Sequence, residues 1–519
     1  MPPSYRRTVP VAMAVSLVLT VGFLFLPLAG TDLSAQVARG HFVQEYGTMP
    51  VDFRWYGGIF PFGYSLLTGP LNALIGARGV GAVGSVLGAT AFAFLLARTR
   101  VRRPLLGAIL GAICLVFNLV SGRTTFALGI AFGLIALCVV TLDELDVRLR
   151  VGLIALTGAL STAASPVAGL FTGIAGAALL LTGRRRDGLV LGVGAGIPMV
   201  VSTLMFHDGG IQPFDVESAK LVIALSIAVI FLVPARYPTV RVGALLSAIG
   251  LFVAYQVPSP IGYNAARLAL IFAIPVVAAT ANLNWPRLAL ALALIFWWQP
   301  SLVLQDLGNA GSRAAHRPFF QPLIDELHKL GPVGRVEVVP LHDHWESTYV
   351  AEAVPIARGW ERQVDVGRNG LFYGRGPEGT LTSPAYLGWL YDNAVTYVAV
   401  PVHSQLDEWG REEAALIAAL PSYLHFVWGN DDWQLYRVDS PQPLVSAPAE
   451  LVSSGPTGVT FDMPRSGTVV VRVRWSGWLT LQGPSGCLTS AGKWTVLRIA
   501  KPGRYRLSSG WHLIQPHHC

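Results

Sequence analysis

The chain begins MPPSYRRTVPVAMAVSLVLTVGFLFLPLAGTD (residues 1–32), a basic start, a run of about 20 apolar residues and then an acid. Such a run spans a hydrocarbon core of about 30 Å as a helix. It is longer than the apolar region of a signal peptide and lacks a small-residue cleavage site, so it reads as an uncleaved first membrane helix. The same character continues along the chain. Of 519 residues, 52% are hydrophobic and only 13% are charged, against about 25% charged in soluble domains. These values predict a polytopic α-helical membrane protein.

Apolar segments recur at 9–29, 79–97, 104–120, 124–142, 151–164, 167–182, 189–206, 221–235, 242–256, 268–281 and 288–303, which predicts about eleven spans. The connectors alternate in character, and the basic ones all fall on one side: Arg6 and Arg7, RTRVRR (98–103), DELDVRLR (143–150), GRRRD (183–187), ARYPTVR (235–241) and NWPR (284–287). By the positive-inside rule that side is the cytoplasm. The N-terminus is then cytoplasmic, while the loop 30–78 and everything after 304 lie outside. The net charge of +8 is explained by these connectors, and nucleic acid is excluded as a partner. IFPFGYSLLTGPLNALIG (59–76), interrupted by Gly and Pro, reads as a broken or re-entrant segment. GVGAVGSVLG (79–88) has glycines near a dinucleotide-binding spacing, but inside a span they serve helix packing.

Three domains are expected. Residues 1–303 form the transmembrane domain with the long first loop 30–78. Residues 304–440, which mix helical patterns such as REEAALIAALPSYL with strand-like runs such as VTYVAVPV, form an extracytoplasmic α/β domain. After a Pro- and Ser-rich linker, the short strands of 455–519 form a small β-sandwich. Cys487 and Cys519 lie in that tail, where an oxidising compartment permits a disulfide between them.

The expected spans carry no ionisable residue near their centres, although proton- and ion-coupled transporters rely on such groups. Ionisable groups gather instead at the outer helix ends: Asp32, Arg39, His41, Glu45, Asp52 and Arg54 in the first loop, then Arg123, His207, Asp208 and Arg267. From Leu33 to Tyr46 the apolar and polar residues interleave as in a helix lying in the membrane interface. PVDFRWYGGIFPFGYS (50–65) follows, with Trp55 among its aromatics, a surface suited to a lipid chain beside a polar group. A sugar carried on a polyprenyl phosphate presents an apolar tail in the bilayer and a sugar phosphate at its surface. Its transfer needs a base for the acceptor hydroxyl and cations for the leaving phosphate. Asp32 has the position for the base. Arg123 and Arg267 are forked donors that match phosphate oxygens, and His207 is a third candidate for the phosphate.

An Asp directly after the first membrane helix, a long outer loop with an interfacial helix, many further spans and an extracytoplasmic C-terminal region together resemble the GT-C superfamily of lipid-phosphosugar glycosyltransferases. SGRTTFALGIAFGL (121–134), STAASPVAGLF (161–171), SPIGYNAARLALIFAIPVVAA (259–279) and, in the tail, HDHWESTYVAEAVPIARGWERQVD (342–365) and YLGWLYDNAVTYVAVP (386–401) also resemble actinobacterial multispanning proteins often described as transporters. The GT-C resemblance implies a plasma-membrane glycosyltransferase with Asp32 as base, a polyprenyl-phosphate sugar as donor and a cell-envelope glycan or lipid as acceptor. Many GT-C members carry a second acid in or near the first loop in DxD-like spacing. Here that spacing is absent, the next acids being Glu45 and Asp52, and no metal or other cofactor is expected.

In HDHWE and RGWERQVD, the residues His344, Trp345, Glu346, Arg358, Trp360 and Arg362 have three readings. They bind a carbohydrate or anionic acceptor, or they make structural ion pairs, or the His-x-His pair ligates a metal without a clear third ligand. Trp475 and Trp478 invite a carbohydrate-binding reading beside ordinary packing. Two rivals to the enzyme stay open: a transporter or flippase of a lipid-linked glycan, and a non-catalytic envelope protein that binds glycan.

Overall fold

The computed structural model describes residues 3–298, 302–331, 334–375, 380–511 and 519. The chain divides into two compact units, one of residues 1–36 and 62–310, the other of 37–61 and 311–519. The first is the membrane unit and the second the polar unit. Residues 299–301 of the apolar segment 288–303 and part of the C-terminal segment lie outside the described residues.

A helix lies on each of the eleven apolar segments expected from the sequence. Among the described residues six helices are long and apolar enough to cross a membrane, namely Arg6–Phe25, Ala77–Arg98, Val147–Ala164, Arg185–Met205, Pro238–Gln256 and Gly262–Thr280. Pro104–Val120, Thr124–Val140, Pro166–Leu181 and Trp285–Trp297 are apolar but shorter. The protein is thus a polytopic helical membrane protein. Helix starts follow local chemistry. Pro occupies the first turn at Pro104, Pro166 and Pro238, where its missing N–H costs nothing. Asp215 accepts from the Ser218 N–H at 2.8 Å, capping Val216–Leu232. The glycines of 79–88 act in packing: a Cβ on Gly84 would stand 2.6 Å from Leu128 N, so Ala77–Arg98 and Thr124–Val140 approach backbone to backbone. The broken segment appears as two short helices, Pro61–Tyr64 and Thr68–Ile75.

The polar unit carries two structural parts. In the first, strands β1 (Arg335–Val338), β2 (Val395–Pro401), β3 (Leu424–Gly429) and β4 (Trp433–Val438) form a sheet in the order β1-β2-β4-β3. Strand β1 runs parallel to β2 and the other pairs are antiparallel. All four residues of β1 are buried, the polar Glu337 included. In the second, β5 (Glu450–Gly455), β6 (Gly458–Met463), β7 (Gly467–Arg474), β8 (Leu479–Gln482), β9 (Gly486–Ala491), β10 (Trp494–Ile499) and β11 (Gly503–Ser509) form sheets β7-β10-β9 and β5-β6-β11-β8. Val469, Val471 and Val473 alternate inward along β7 and join Phe461, Tyr505, Leu488 and Leu497 in one core, as a sandwich requires. Cys487 and Cys519 form a disulfide with Cα atoms 5.2 Å apart.

The first loop differs from its expected form. The helix Leu33–Tyr46 is present, yet Leu33, Ser34, Ala35, Gln36, Ala38, Arg39 and Phe42 are buried in protein rather than laid on a lipid surface. Gln36 is tied down because its carbonyl accepts from Asn72 Nδ2 and its side chain from Thr125 Oγ1. Val51 and Phe53 belong to the sandwich core, so the segment 50–60 is part of the polar unit's interior and not a free surface.

Candidate functional site

Two glycine turns of the membrane unit build the Asp32 site. Gly30 has φ +94° and Gly122 φ +76°, a region open to glycine at little cost. A Cβ on Gly122 would lie 2.8 Å from Leu33 Cα and 2.9 Å from the Asp32 carbonyl carbon, and one on Gly30 would lie 2.5 Å from Gly122 N. Only bare backbone lets the turns after Pro3–Phe25 and Pro104–Val120 press together. The Asp32 N–H then donates to the Ser121 carbonyl at 3.3 Å.

This contact sets Asp32 beside Arg123. The Arg123 Nε stands 3.6 Å from Asp32 Oδ2, and Arg267 Nη2 stands 3.4 Å from the same oxygen. Arg267 opens the helix Arg267–Thr280, after the 3₁₀ turn Gly262–Ala266. Its guanidinium also lies 5.3 Å from the centre of the Phe126 ring, which steadies it in a fixed place. The Asp32 side chain is 26% exposed and those of Arg123 and Arg267 are 19% and 12% exposed. The pairs are long and partly open, so an anion can compete for the two guanidiniums.

Other loops join the same end of the bundle. A Cβ on Gly63 would meet Phe206 O at 3.1 Å and Asp208 Oδ2 at 3.5 Å, which places Asp208 beside the broken segment. Gln212 N donates to the Ser259 carbonyl at 2.9 Å, linking the loop after Met205 to the one before Arg267. His207 is exposed on the former loop, whereas the ion pairs of Asp32 run to Arg123 and Arg267. Ser121 and Asp306 were not singled out in the sequence, yet the Ser121 hydroxyl donates to Asp306 Oδ2 at 2.5 Å. The available signal was that Asp306, in LVLQDLG (302–308), follows the last apolar segment as Asp32 follows the first.

The remaining candidates lie in the polar unit, mostly in closed contacts. Arg54 and Asp52 pair at 2.8 Å, and Arg54 Nη2 also donates to the Ala38 carbonyl at 2.9 Å. The Trp55 indole N–H donates to the Ser347 carbonyl at 2.8 Å. Arg39 pairs with Glu361 and lies 5.5 Å from the Trp55 ring centre. His41 meets Glu352 at 2.7 Å, and Glu45 is exposed.

A second cluster surrounds His344, which holds φ +56° and stacks on Trp360 with ring centres 3.3 Å apart. Its Nδ1 is 3.3 Å from Glu346 and its Nε2 3.4 Å from Asp407, which Arg362 also holds at 2.6 Å. Burial lowers the His344 pKa, but hydrogen bonds with Asp407 and Glu346 outweigh it and hold the imidazole above its ordinary value. Burial pushes the Asp407 carboxyl up, while His344 and Arg362 bring it well below the usual carboxylate range. Burial raises Glu346 in spite of His344. Beneath them, Arg358 Nε donates to Glu337 at 2.8 Å, a second amino group meets Glu413, and the Tyr386 hydroxyl donates to Glu413 at 2.8 Å. Burial raises both Glu337 and Glu413 against the pull of Arg358. A cavity of about 10 Å³ lies among His344, Glu346, Arg358, Trp360 and Asp407, room for roughly one water. Trp345 stacks on Tyr349. Among the described residues, no three His, Cys, Asp or Glu side chains gather as a metal site requires.

The chain matches no family model and no curated protein. Among solved structures it is similar to the arabinofuranosyltransferase AftD from Mycobacteria, at 17% identity and TM-score 0.47, over 89% of this chain and 43% of that one. It is similar also to ArnT from Cupriavidus metallidurans in the apo state, at 13% identity and TM-score 0.49, over 84% of this chain and 99% of that one. With ArnT bound to undecaprenyl phosphate the identity is 14% and the TM-score 0.36, over 84% and 98%. The chain spans less than half the length of the arabinofuranosyltransferase chain. At such scores the likeness carries no chemistry, which has to come from the residues themselves.

Proposed function

We propose that the protein is a membrane glycosyltransferase that moves a sugar from a polyprenyl-phosphate donor to a glycan or lipid acceptor of the cell envelope. The observation that carries this reading is the pairing of one carboxylate oxygen of Asp32 with two guanidiniums at the end of the helical bundle. A base and two phosphate-binding forks are the groups the transfer requires.

In this reading the donor phosphate competes with Asp32 for Arg123 and Arg267. The carboxylate so released takes the proton of the acceptor hydroxyl as its oxygen bonds to the anomeric carbon. The bond from that carbon to the phosphate oxygen breaks, with inversion, and the electron pair leaves with polyprenyl phosphate. The guanidiniums neutralise the charge that grows there, so no divalent metal enters the scheme. Positive-inside counting puts the site on the extracytoplasmic face of the plasma membrane, with the N-terminus cytoplasmic and about eleven spans. We read Arg39, Asp52, Arg54 and Trp55 as framework of the polar unit, because their polar groups are engaged in buried contacts. His207 is left for the donor phosphate, and Asp208 for the acceptor.

The test is Asp32→Asn in detergent with a labelled polyprenyl-phosphate sugar. Loss of a general base lowers turnover by about 100- to 10,000-fold. Transfer that continues undiminished removes Asp32 as base. Equal movement of labelled lipid across proteoliposomes by both proteins, without transfer by either, establishes the flippase instead.

A further inference from the structure

We propose that Asp306 is a positioning residue for the Asp32 and Arg123 pair, acting through Ser121. The inference rests on the glycosyltransferase reading for its kinetic consequence but not for its structural one. Asp306 lies in the short helix Leu302–Gly308 and is 6% exposed. A carboxylate so buried is costly unless its hydrogen bonds are made. It accepts from the Ser121 hydroxyl at 2.5 Å, and the Ser121 side is buried as well.

Ser121 stands at a junction. Its carbonyl accepts the Asp32 N–H at 3.3 Å, and two residues later comes Arg123, whose own carbonyl accepts from Asn118 Nδ2 at 3.4 Å. Gly122 between them touches Leu33 and Asp32 backbone. The turn 121–123 therefore supports the base by one atom and presents a phosphate-binding cation by another. A bond that fixes the Ser121 side chain fixes both. Asp306 thus supplies from the far end of the membrane unit a second acid near the base, where the first loop has no DxD-like pair. Its carboxylate accepts from the serine hydroxyl and orients groups that react.

Four variants of the full chain in detergent decide the matter: Asp306→Ala, Asp306→Asn, Ser121→Ala and the double variant Asp306→Ala with Ser121→Ala. Misplacing the base by a fraction of an ångström costs about 10- to 100-fold in kcat, with donor KM changed much less. Asparagine keeps an acceptor oxygen for Ser121, so Asp306→Asn retains activity within about threefold of wild type while Asp306→Ala does not. The double variant is no worse than Asp306→Ala, since both single changes remove the same bond. A fully active Asp306→Ala overturns the proposal, as does an Asp306→Asn as impaired as Asp306→Ala beside a normal Ser121→Ala.

Amide hydrogen exchange supplies a readout independent of activity. Peptides covering 30–34 and 119–124 exchange about 10-fold faster in Asp306→Ala and in Ser121→Ala than in wild type, with the remaining membrane helices unchanged. Unaltered exchange at those peptides overturns the positioning role. If wild type transfers no sugar from any polyprenyl-phosphate donor, the functional reading fails, and the exchange result still decides Asp306.

Discussion

Two of the carboxylate and guanidinium clusters in this protein are built in opposite ways. In the membrane unit one oxygen of Asp32 faces Arg123 and Arg267 at 3.6 and 3.4 Å, with all three side chains partly exposed. In the polar unit Arg358 is clasped by Glu337 and Glu413, and all three are buried. The first cluster makes few hydrogen bonds at long distance and leaves its donors available to an incoming anion. The second is closed on itself, and an anion entering it would have to displace carboxylates that have no water to retreat to. Sites that bind and release need the first kind of construction, and frameworks tolerate the second.

That contrast breaks most visibly at Arg358. Replacing it by Met leaves Glu337 and Glu413 buried without a cation, which costs about 3–5 kcal/mol. The expected result is a large drop in the melting temperature of the full chain, with an intact polar unit in the variant contradicting the framework reading. Arg267→Lys attacks the open cluster instead. A single ammonium cannot reproduce the fork, so donor KM rises about 10-fold or more while the melting temperature stays within a few degrees. A Lys variant that unfolds the protein would place Arg267 with the framework residues.

The smallest expected effect is on pH. His344 is held above its ordinary value of about 6.5, so its contribution to stability is full below that pH and is lost as pH rises through the raised value. Glu346, raised by burial, acts in the same direction at lower pH. Asp407, held low, contributes above the ordinary carboxylate range and loses its contribution only in strong acid. Melting of the full chain should therefore fall gently from about pH 6.5 upward, and His344→Gln should flatten that slope. A slope unchanged by the substitution would show that His344 is not its source.

Much of the membrane unit was legible in the sequence because the bilayer imposes a length. Among the described residues each of the eleven expected spans carries a helix, and the Gly- and Pro-broken stretch 59–76 is broken in space as well. The candidate site was legible in part. Asp32, Arg123 and Arg267 stand at helix ends, where a charge in a sparsely charged chain is conspicuous. Asp306 was missed because it sits two residues beyond the boundary drawn at 304, where charges become common, although the compact membrane unit continues to Ala310. The buried pairing of Arg54 was not legible, because composition does not tell an exposed arginine from one turned onto its neighbour Asp52.

By itself, then, the sequence determined the membrane class, the helices and the chemical types gathered at their ends, since each follows from local composition and a fixed span length. Only the tertiary structure decided which of those groups meet. Asp32 meets Arg123 because Gly30 and Gly122 allow two turns to touch backbone to backbone, and Arg267 arrives from a helix more than two hundred residues away. Contacts of that kind depend on packing between distant segments, for which a linear pattern carries no signal.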